Sequence, residues 1–196
     1  LKILFLNMAK DHQRVHPKFK LNGASFKELA FTFTNKNSLI ENKDLASFLS
    51  DWLSDNDQIK LKTSGTTGDP KEIKVDKKAM ILSAQNTGKY FNIVAGDNAL
   101  LCLPIEFIAG KMMVVRAIVL GLDLNITSPN SAPMNDLTQD FDFVSMTPFQ
   151  LEKNINYIHK IKCLLIGGSP VSENLREKII NKTCLLYTSD AADDGT

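Results

Sequence analysis

Apolar residues along this chain recur with two spacings, and the changes of spacing divide it into short alternating elements. His16–Gly23 reads as a short strand closed by an Asn22-Gly23 turn, because that dipeptide accepts the left-handed backbone of a two-residue hairpin. From Ser25 to Phe33, the positions Phe26, Leu29, Ala30 and Phe33 fall at helical spacing, with Ser25 as the cap. Leu45, Phe48, Leu49, Trp52 and Leu53 form one stripe on a helix over Lys43–Leu53, which Ser54, Asp55 and Asn56 bring to an end. A stripe of that kind is read as core. Ile59–Thr63 and Glu72–Val75 alternate, so they predict two strands flanking a polar loop. Asp76 is the expected cap of a helix carrying Ala79, Met80, Leu82, Thr87, Tyr90 and Phe91, and Gly96-Asp97 marks the following turn.

The second half is more apolar. Ala99–Pro104 is a continuous apolar run, as expected of a strand buried on both faces. Phe107–Gly121 is longer, but Lys111 and Arg116 interrupt it and it is too short to span a bilayer. It predicts a buried helix ending at Gly121. Leu122–Ile126, Phe141–Met146 and Lys162–Ile166 read as further strands. Helices are expected from about Phe149 to Ile158 and from Ser172 to Ile180, and Asn130–Asp140 reads as a polar loop. Strands alternating with crossover helices predict an α/β fold of layered sheets.

Composition narrows the function classes. The 196 residues are 43% hydrophobic and 23% charged, which suits a globular core. A net charge of +1 gives no electrostatic case for nucleic acid or an anionic membrane as partner. Cys102, Cys163 and Cys184 are widely spaced and suggest neither a disulfide framework nor zinc, so a reducing cytoplasm is expected. His12, His16 and His159 are scattered, and no metal-ligand set is expected.

The chemistry concentrates in Lys62–Lys71. Thr63, Ser64, Thr66 and Thr67 supply four hydroxyls, Gly65 and Gly68 allow close backbone approach, and Lys71 adds a point charge at the exit. That set suits a polyphosphate, although its composition is also that of a solvated hairpin loop. It is not a Walker loop: counted from Gly65, the second glycine falls on Pro70, and Glu72 follows Lys71. A second glycine site, Gly167-Gly168-Ser169-Pro170, follows the buried run Leu164–Ile166, at the strand end where open α/β sheets collect ligands.

Ser64-Gly65-Thr66-Thr67-Gly68-Asp69-Pro70-Lys71 resembles the S-G-T-T-G-x-P-K phosphate loop of the acyl-adenylate-forming superfamily at all seven defined positions. Gly167–Pro170 is similar to that family's G-G-A-P segment, with Ser169 in place of alanine. Leu103–Gly110 is similar to its L-P-x-x-H-x-x-G segment, with Phe107 in place of histidine. The resemblance implies the large amino-terminal domain of an ATP-dependent carboxylic acid–CoA ligase, using ATP, Mg²⁺ and CoA as co-substrate. By the same resemblance, Thr63, Ser64, Gly65, Thr66, Thr67, Gly68 and Lys71 bind the ATP phosphates, and Gly167, Gly168, Ser169, Pro170 and Phe107 border the adenine and acyl pockets. The short lead from Met8 to the loop, together with Arg116-Ala117 and Val171-Ser172, looks like the short o-succinylbenzoate–CoA ligases of menaquinone synthesis.

Both ends read as foreign to that domain. Residues 1–7 precede Met8 and are read as upstream read-through, leaving 8–183 as a partial AMP-binding domain. Residues 184–196, of which Cys184–Asp194 resembles a translated sequencing adaptor, are set apart as a non-native tail. The family's Tyr-Gly-x-Thr-Glu segment, ribose-binding Asp and catalytic Lys would all lie beyond Thr183, so the chain as it stands is expected not to complete adenylation. A non-catalytic nucleotide-binding module is the alternative from a different class.

Overall fold

The computed structural model describes residues 15–29, 42–62, 72–180 and 185–189. Asn22 and Gly23, with φ of 49° and 79°, turn strand β1 (Lys20–Leu21) into the antiparallel β2 (Ala24–Ser25). The strand starts later than the predicted His16 because His16–Phe19 fold into a turn, Phe19 N–H donating to the His16 carbonyl at 2.9 Å. Residues 26–29 are helical, and Ser25 caps them as expected. Its N–H and hydroxyl donate to the Glu28 carboxylate at 2.7 and 2.6 Å, and the Glu28 N–H returns to the Ser25 hydroxyl at 3.4 Å. These bonds, the side-chain one foremost, hold the Glu28 carboxyl below its usual range. Residues 30–33 of that predicted helix lie outside the described residues.

Helix α1 (Lys43–Leu53) has the predicted bounds, and all five residues of its apolar stripe are buried. Asn42 starts it, accepting the N–H groups of Asp44 and Leu45 at 3.0 and 3.1 Å. Strands β3 (Gln58–Lys62) and β4 (Glu72–Asp76) form an antiparallel pair with Ile59 and Leu61 buried beneath it. Helix α2 (Lys77–Phe91) follows directly. Asp76 does not cap it as predicted: β4 is still paired at that point, and the carboxylate instead accepts from Gln58 Nε2 at 2.9 Å, tying the two strands.

The main sheet is then laid down. Its strands are β5 (Asn98–Leu101), β6 (Asp123–Ile126), β7 (Phe141–Met146), β8 (Ile161–Gly167) and β9 (Leu185–Ser189), with helices α3 (Ile108–Leu120), α4 (Pro148–Lys153) and α5 (Glu173–Ile180) between them. The seven strands run in the order β2-β1-β6-β5-β7-β8-β9, all parallel except β2. Ala99, Leu101 and Phe143 pack into one core with α1 and α3, whereas Leu100, Cys102 and Val144 pack into a second with α4 and α5. Successive side chains of a strand point to opposite faces, so the sheet separates two cores, as the continuous apolar run of β5 predicts. Among the described residues, no helix is long and apolar enough to cross a membrane.

One expectation is corrected here. The helix predicted over Phe149–Ile158 breaks at Asn154 and resumes as a 3-10 segment over Ile155–Lys160. The Asn154 side chain donates to the Gln150 carbonyl at 2.7 Å and accepts the Met134 N–H at 2.9 Å, so it competes with the helical ladder. Of residues 184–196, set apart in the sequence, the described stretch is a strand of the main sheet. Leu185–Ser189 lies parallel to β8 from Cys163↔Leu185 to Gly167↔Ser189.

Candidate functional site

Parallel pairing of β5, β6, β7 and β8 brings their carboxyl ends to one edge. From β5 the chain goes to β6 on one side and later to β7 on the other, which makes that edge a switch point of the topology. Three loops meet there: Leu103–Phe107 after β5, Thr147 after β7, and Gly168–Pro170 after β8. The strands carrying the first and last run about 10 Å apart, with β7 between them.

The loop after β5 is held from below by α3. Gly110 sits so close under it that a Cβ there would lie 2.2 Å from the Pro104 carbonyl oxygen. From the next residue, the Lys111 ammonium donates to the carbonyls of Ile105 and Glu106 at 2.8 and 3.0 Å and stands 5.7 Å from the Phe48 ring centre. Phe107 precedes the helix in extended conformation and is 38% exposed. Glu106 is exposed beside it.

Gly168 has φ of 91°, a backbone conformation that favours glycine, and its nearest neighbour in the Cβ direction is Thr147 Cγ2 at 3.9 Å. The turn therefore runs directly beside Thr147, with Gly168, Ser169 and Pro170 exposed. Thr147 begins α4 with a reciprocal cap: its hydroxyl accepts the Gln150 N–H at 3.2 Å, and its own N–H donates to Gln150 Oε1 at 3.1 Å. Sequence reasoning passed over both residues, although Thr147-Pro148-Phe149-Gln150 carries the S/T-x-x-Q signature of such a cap.

Of the residues assigned from sequence, the structure brings Phe107 and Gly167–Pro170 to this one edge. Thr63, Ser64, Gly65, Thr66, Thr67, Gly68 and Lys71 lie outside the described residues, as do Met8, Thr183 and Cys184. Their stem is described: Lys62 and Glu72 are register partners, so residues 63–71 connect the ends of one hairpin. The Lys60–Glu72 ion pair across it, at 3.0 Å, has both side chains more than half exposed and contributes about 0–1 kcal/mol. At the base, buried Lys77 donates its ammonium to the Ser54 carbonyl at 2.9 Å, tying the stem to the end of α1.

Two further groups serve structure. Burial pushes the Cys102 thiol up to about 12, and it donates to the Ser145 carbonyl at 3.3 Å. Folded Cys102 should therefore resist iodoacetamide at pH 8 and react on denaturation, as peptide mapping of the alkylated chain would show. Equal labelling of folded and denatured chain would contradict this. Because the folded thiol titrates above its ordinary 9.0, raising the pH from 9 towards 12 favours the unfolded chain. Burial likewise lowers the Arg116 guanidinium to about 10, still charged at neutral pH, with its centre 5.9 Å from the Phe143 ring. Among the described residues, no group of His, Cys, Asp and Glu is placed to hold a metal ion.

A family model described as AMP-binding enzyme matches residues 59–188. The 2-succinylbenzoate–CoA ligase of Enterococcus faecalis is 30% identical over 121 residues, covering 56% of this chain and 24% of that protein. The Bacillus subtilis enzyme of the same name is 25% identical over 134 residues, covering 65% and 28%. Among solved structures, an acyl-CoA synthetase (AMP-forming)/AMP-acid ligase II-like protein from Dyadobacter fermentans superposes with a TM-score of 0.72 at 34% identity, over 81% of this chain and 48% of that one. The o-succinylbenzoate coenzyme A synthetase of Bacillus subtilis, solved with ATP and magnesium ion, shares the fold at a TM-score of 0.58 and 22% identity, over 67% and 29%. The chain thus spans about a quarter of the length of these two curated relatives.

Proposed function

The chain belongs to the AMP-binding enzyme family, and from that premise we propose that it is the nucleotide-binding part of an o-succinylbenzoate–CoA ligase. The reaction proposed joins 2-succinylbenzoate to CoA through an acyl-adenylate, as a step of menaquinone synthesis in the cytoplasm. The observation that carries this reading is the agreement in name of the curated relatives that match, all 2-succinylbenzoate–CoA ligases.

The chemistry of the donor set in 63–71 suits ATP. Ser64, Thr66, Thr67 and the glycine-flanked amides would orient the β- and γ-phosphates, and Lys71 would add a positive charge. Mg²⁺, when bound with the nucleotide, offsets the charge that builds on the departing pyrophosphate. At the sheet edge, Phe107 and Gly168–Pro170 would border the acid and the adenine.

Thermal protection of the chain tests this reading. ATP with Mg²⁺ should raise the unfolding temperature, and Lys71→Ala should weaken that binding about tenfold, or about 1.4 kcal/mol. Identical protection of wild type, Ser64→Ala and Lys71→Ala would refute the loop's role. A stable analogue of 2-succinylbenzoyl-adenylate should protect more than its fatty-acyl counterpart. The reverse order would favour another acyl-CoA synthetase, the second reading, which the 34% identity to the Dyadobacter protein supports. ATP–pyrophosphate exchange by the 196-residue chain alone is expected to be undetectable.

A further inference from the structure

We infer that Gln150 is a positioning residue that locks the segments leaving β5, β6 and β7 at the sheet edge into a single arrangement. Its side chain is buried and every hydrogen-bonding position on it is used. Oε1 accepts the Thr147 N–H at 3.1 Å and the Thr147 hydroxyl at 3.4 Å. Nε2 donates to the Cys102 carbonyl at 3.0 Å and the Asn130 carbonyl at 2.9 Å. The amide orientation follows from its partners: a backbone N–H only donates and a carbonyl only accepts.

These bonds reach the ends of three strands. Thr147 leaves β7 beside Gly168, Cys102 leaves β5 towards Phe107, and Asn130 lies in the segment that leaves β6. A cap at this helix position is satisfied equally by Glu or Gln, since only the acceptor oxygen is needed. Capping therefore accounts for Oε1 and leaves the two donor bonds unexplained. Only the amide supplies both. Asn154, one turn on, extends the hold by donating to the Ser131 carbonyl at 3.2 Å and accepting the Met134 N–H at 2.9 Å. Gln150 thus ties the exit of β5 at Cys102, which leads to Phe107, to Thr147 at the exit of β7. The effect on acyl-adenylate binding rests on the function proposed above, whereas the effect on the loops does not.

Hydrogen exchange on the whole chain tests it, comparing wild type with Gln150→Met, Gln150→Glu and, as a general destabiliser of the same core, Ile158→Val. In Q150M, the turn amides of Phe107, Ala132 and Asn135 should exchange at least tenfold faster, while the β7–β8 ladder stays within about twofold of wild type. In Q150E, which keeps an acceptor but loses both donors, the same three amides should be released with Thr147 still protected. Loop and ladder amides accelerating together, as in I158V, would overturn the assignment, and so would unchanged loops in Q150E. If Q150M does not fold, Q150E alone decides. In the second arm, Q150E should lose at least fivefold in affinity for the acyl-adenylate analogue while ATP protection holds. Absence of any adenylate binding by wild type would refute the proposed function and leave the exchange result standing.

Discussion

Replacing Lys77 by alanine is expected to cost the fold about 3–4 kcal/mol, read as a fall in the denaturant midpoint at unchanged slope. Lys77 is fully buried, and its ammonium reaches the Ser54 carbonyl at 2.9 Å and the Ser54 hydroxyl at 3.4 Å. Its own N–H donates to the Asp57 carbonyl at 2.8 Å. The side chain therefore joins the end of α1 to the start of α2 across the base of the β3–β4 hairpin. A hydrogen bond to a charged group contributes about 1.5–3 kcal/mol, and removing the buried stem adds a cavity. Lys77→Met keeps most of the stem and should cost about 2 kcal/mol. If the methionine variant lost as much as the alanine variant, the packing part of this account would be wrong. The hairpin carries residues 63–71, so ATP protection should fall along with stability in both.

Gly110→Ala comes next, at up to about 2 kcal/mol net, or up to roughly 4–8 °C for a chain of this size. Alanine is the better helix former by about 1 kcal/mol, so on propensity alone the change would stabilise α3. The new methyl, however, would stand 2.2 Å from the Pro104 oxygen and 2.7 Å from its carbonyl carbon, both backbone atoms that no rotamer change can move. Overpacking of this kind costs about 1–3 kcal/mol and must lift the loop that carries Phe107. Gly88→Ala provides the contrast. There the methyl would meet only the far end of Leu120, at 2.6 Å from Cδ2, which can rotate away. That variant should sit within about 1 kcal/mol of wild type. Equal losses at the two positions would show that the Pro104 contact is not what makes Gly110 necessary.

Elements whose cause is local were legible in the sequence. The α1 stripe, the Asn22-Gly23 turn and the Gly121 stop each depend on residues a few positions apart, and each lies where the pattern placed it. The carboxyl-edge location of Gly167–Pro170 followed from a buried strand and the glycines after it. What escaped depends on distant partners. Nothing near Gln150 announces that its amide reaches carbonyls 48 and 20 residues away. Asn154 looked like an ordinary helix residue because Met134, whose N–H its side chain accepts, is 20 residues earlier. Gly110 was noticed as part of a family pattern, but its reason, contact with the Pro104 backbone, is visible only in three dimensions. Asp76 failed as a cap because its partner Gln58 stands across a ladder 18 residues away.

The β1–β6 pairing sets an order in time as well as in space. Lys20 and Leu21 have Asp123 and Leu124 as parallel partners, and two further bonds close the same gap: Asn22 Oδ1 accepts the Ile126 N–H at 2.8 Å, and the Gly23 N–H donates to Asp123 at 3.1 Å. Closing a loop of about a hundred residues costs on the order of 4 kcal/mol of chain entropy, more than a hairpin of two-residue strands can supply alone. On a ribosome adding about 5–20 residues per second, Phe19 and Leu21 wait some ~5–20 s for the strand that buries them. The amino-terminal arm is synthesised early and secured late.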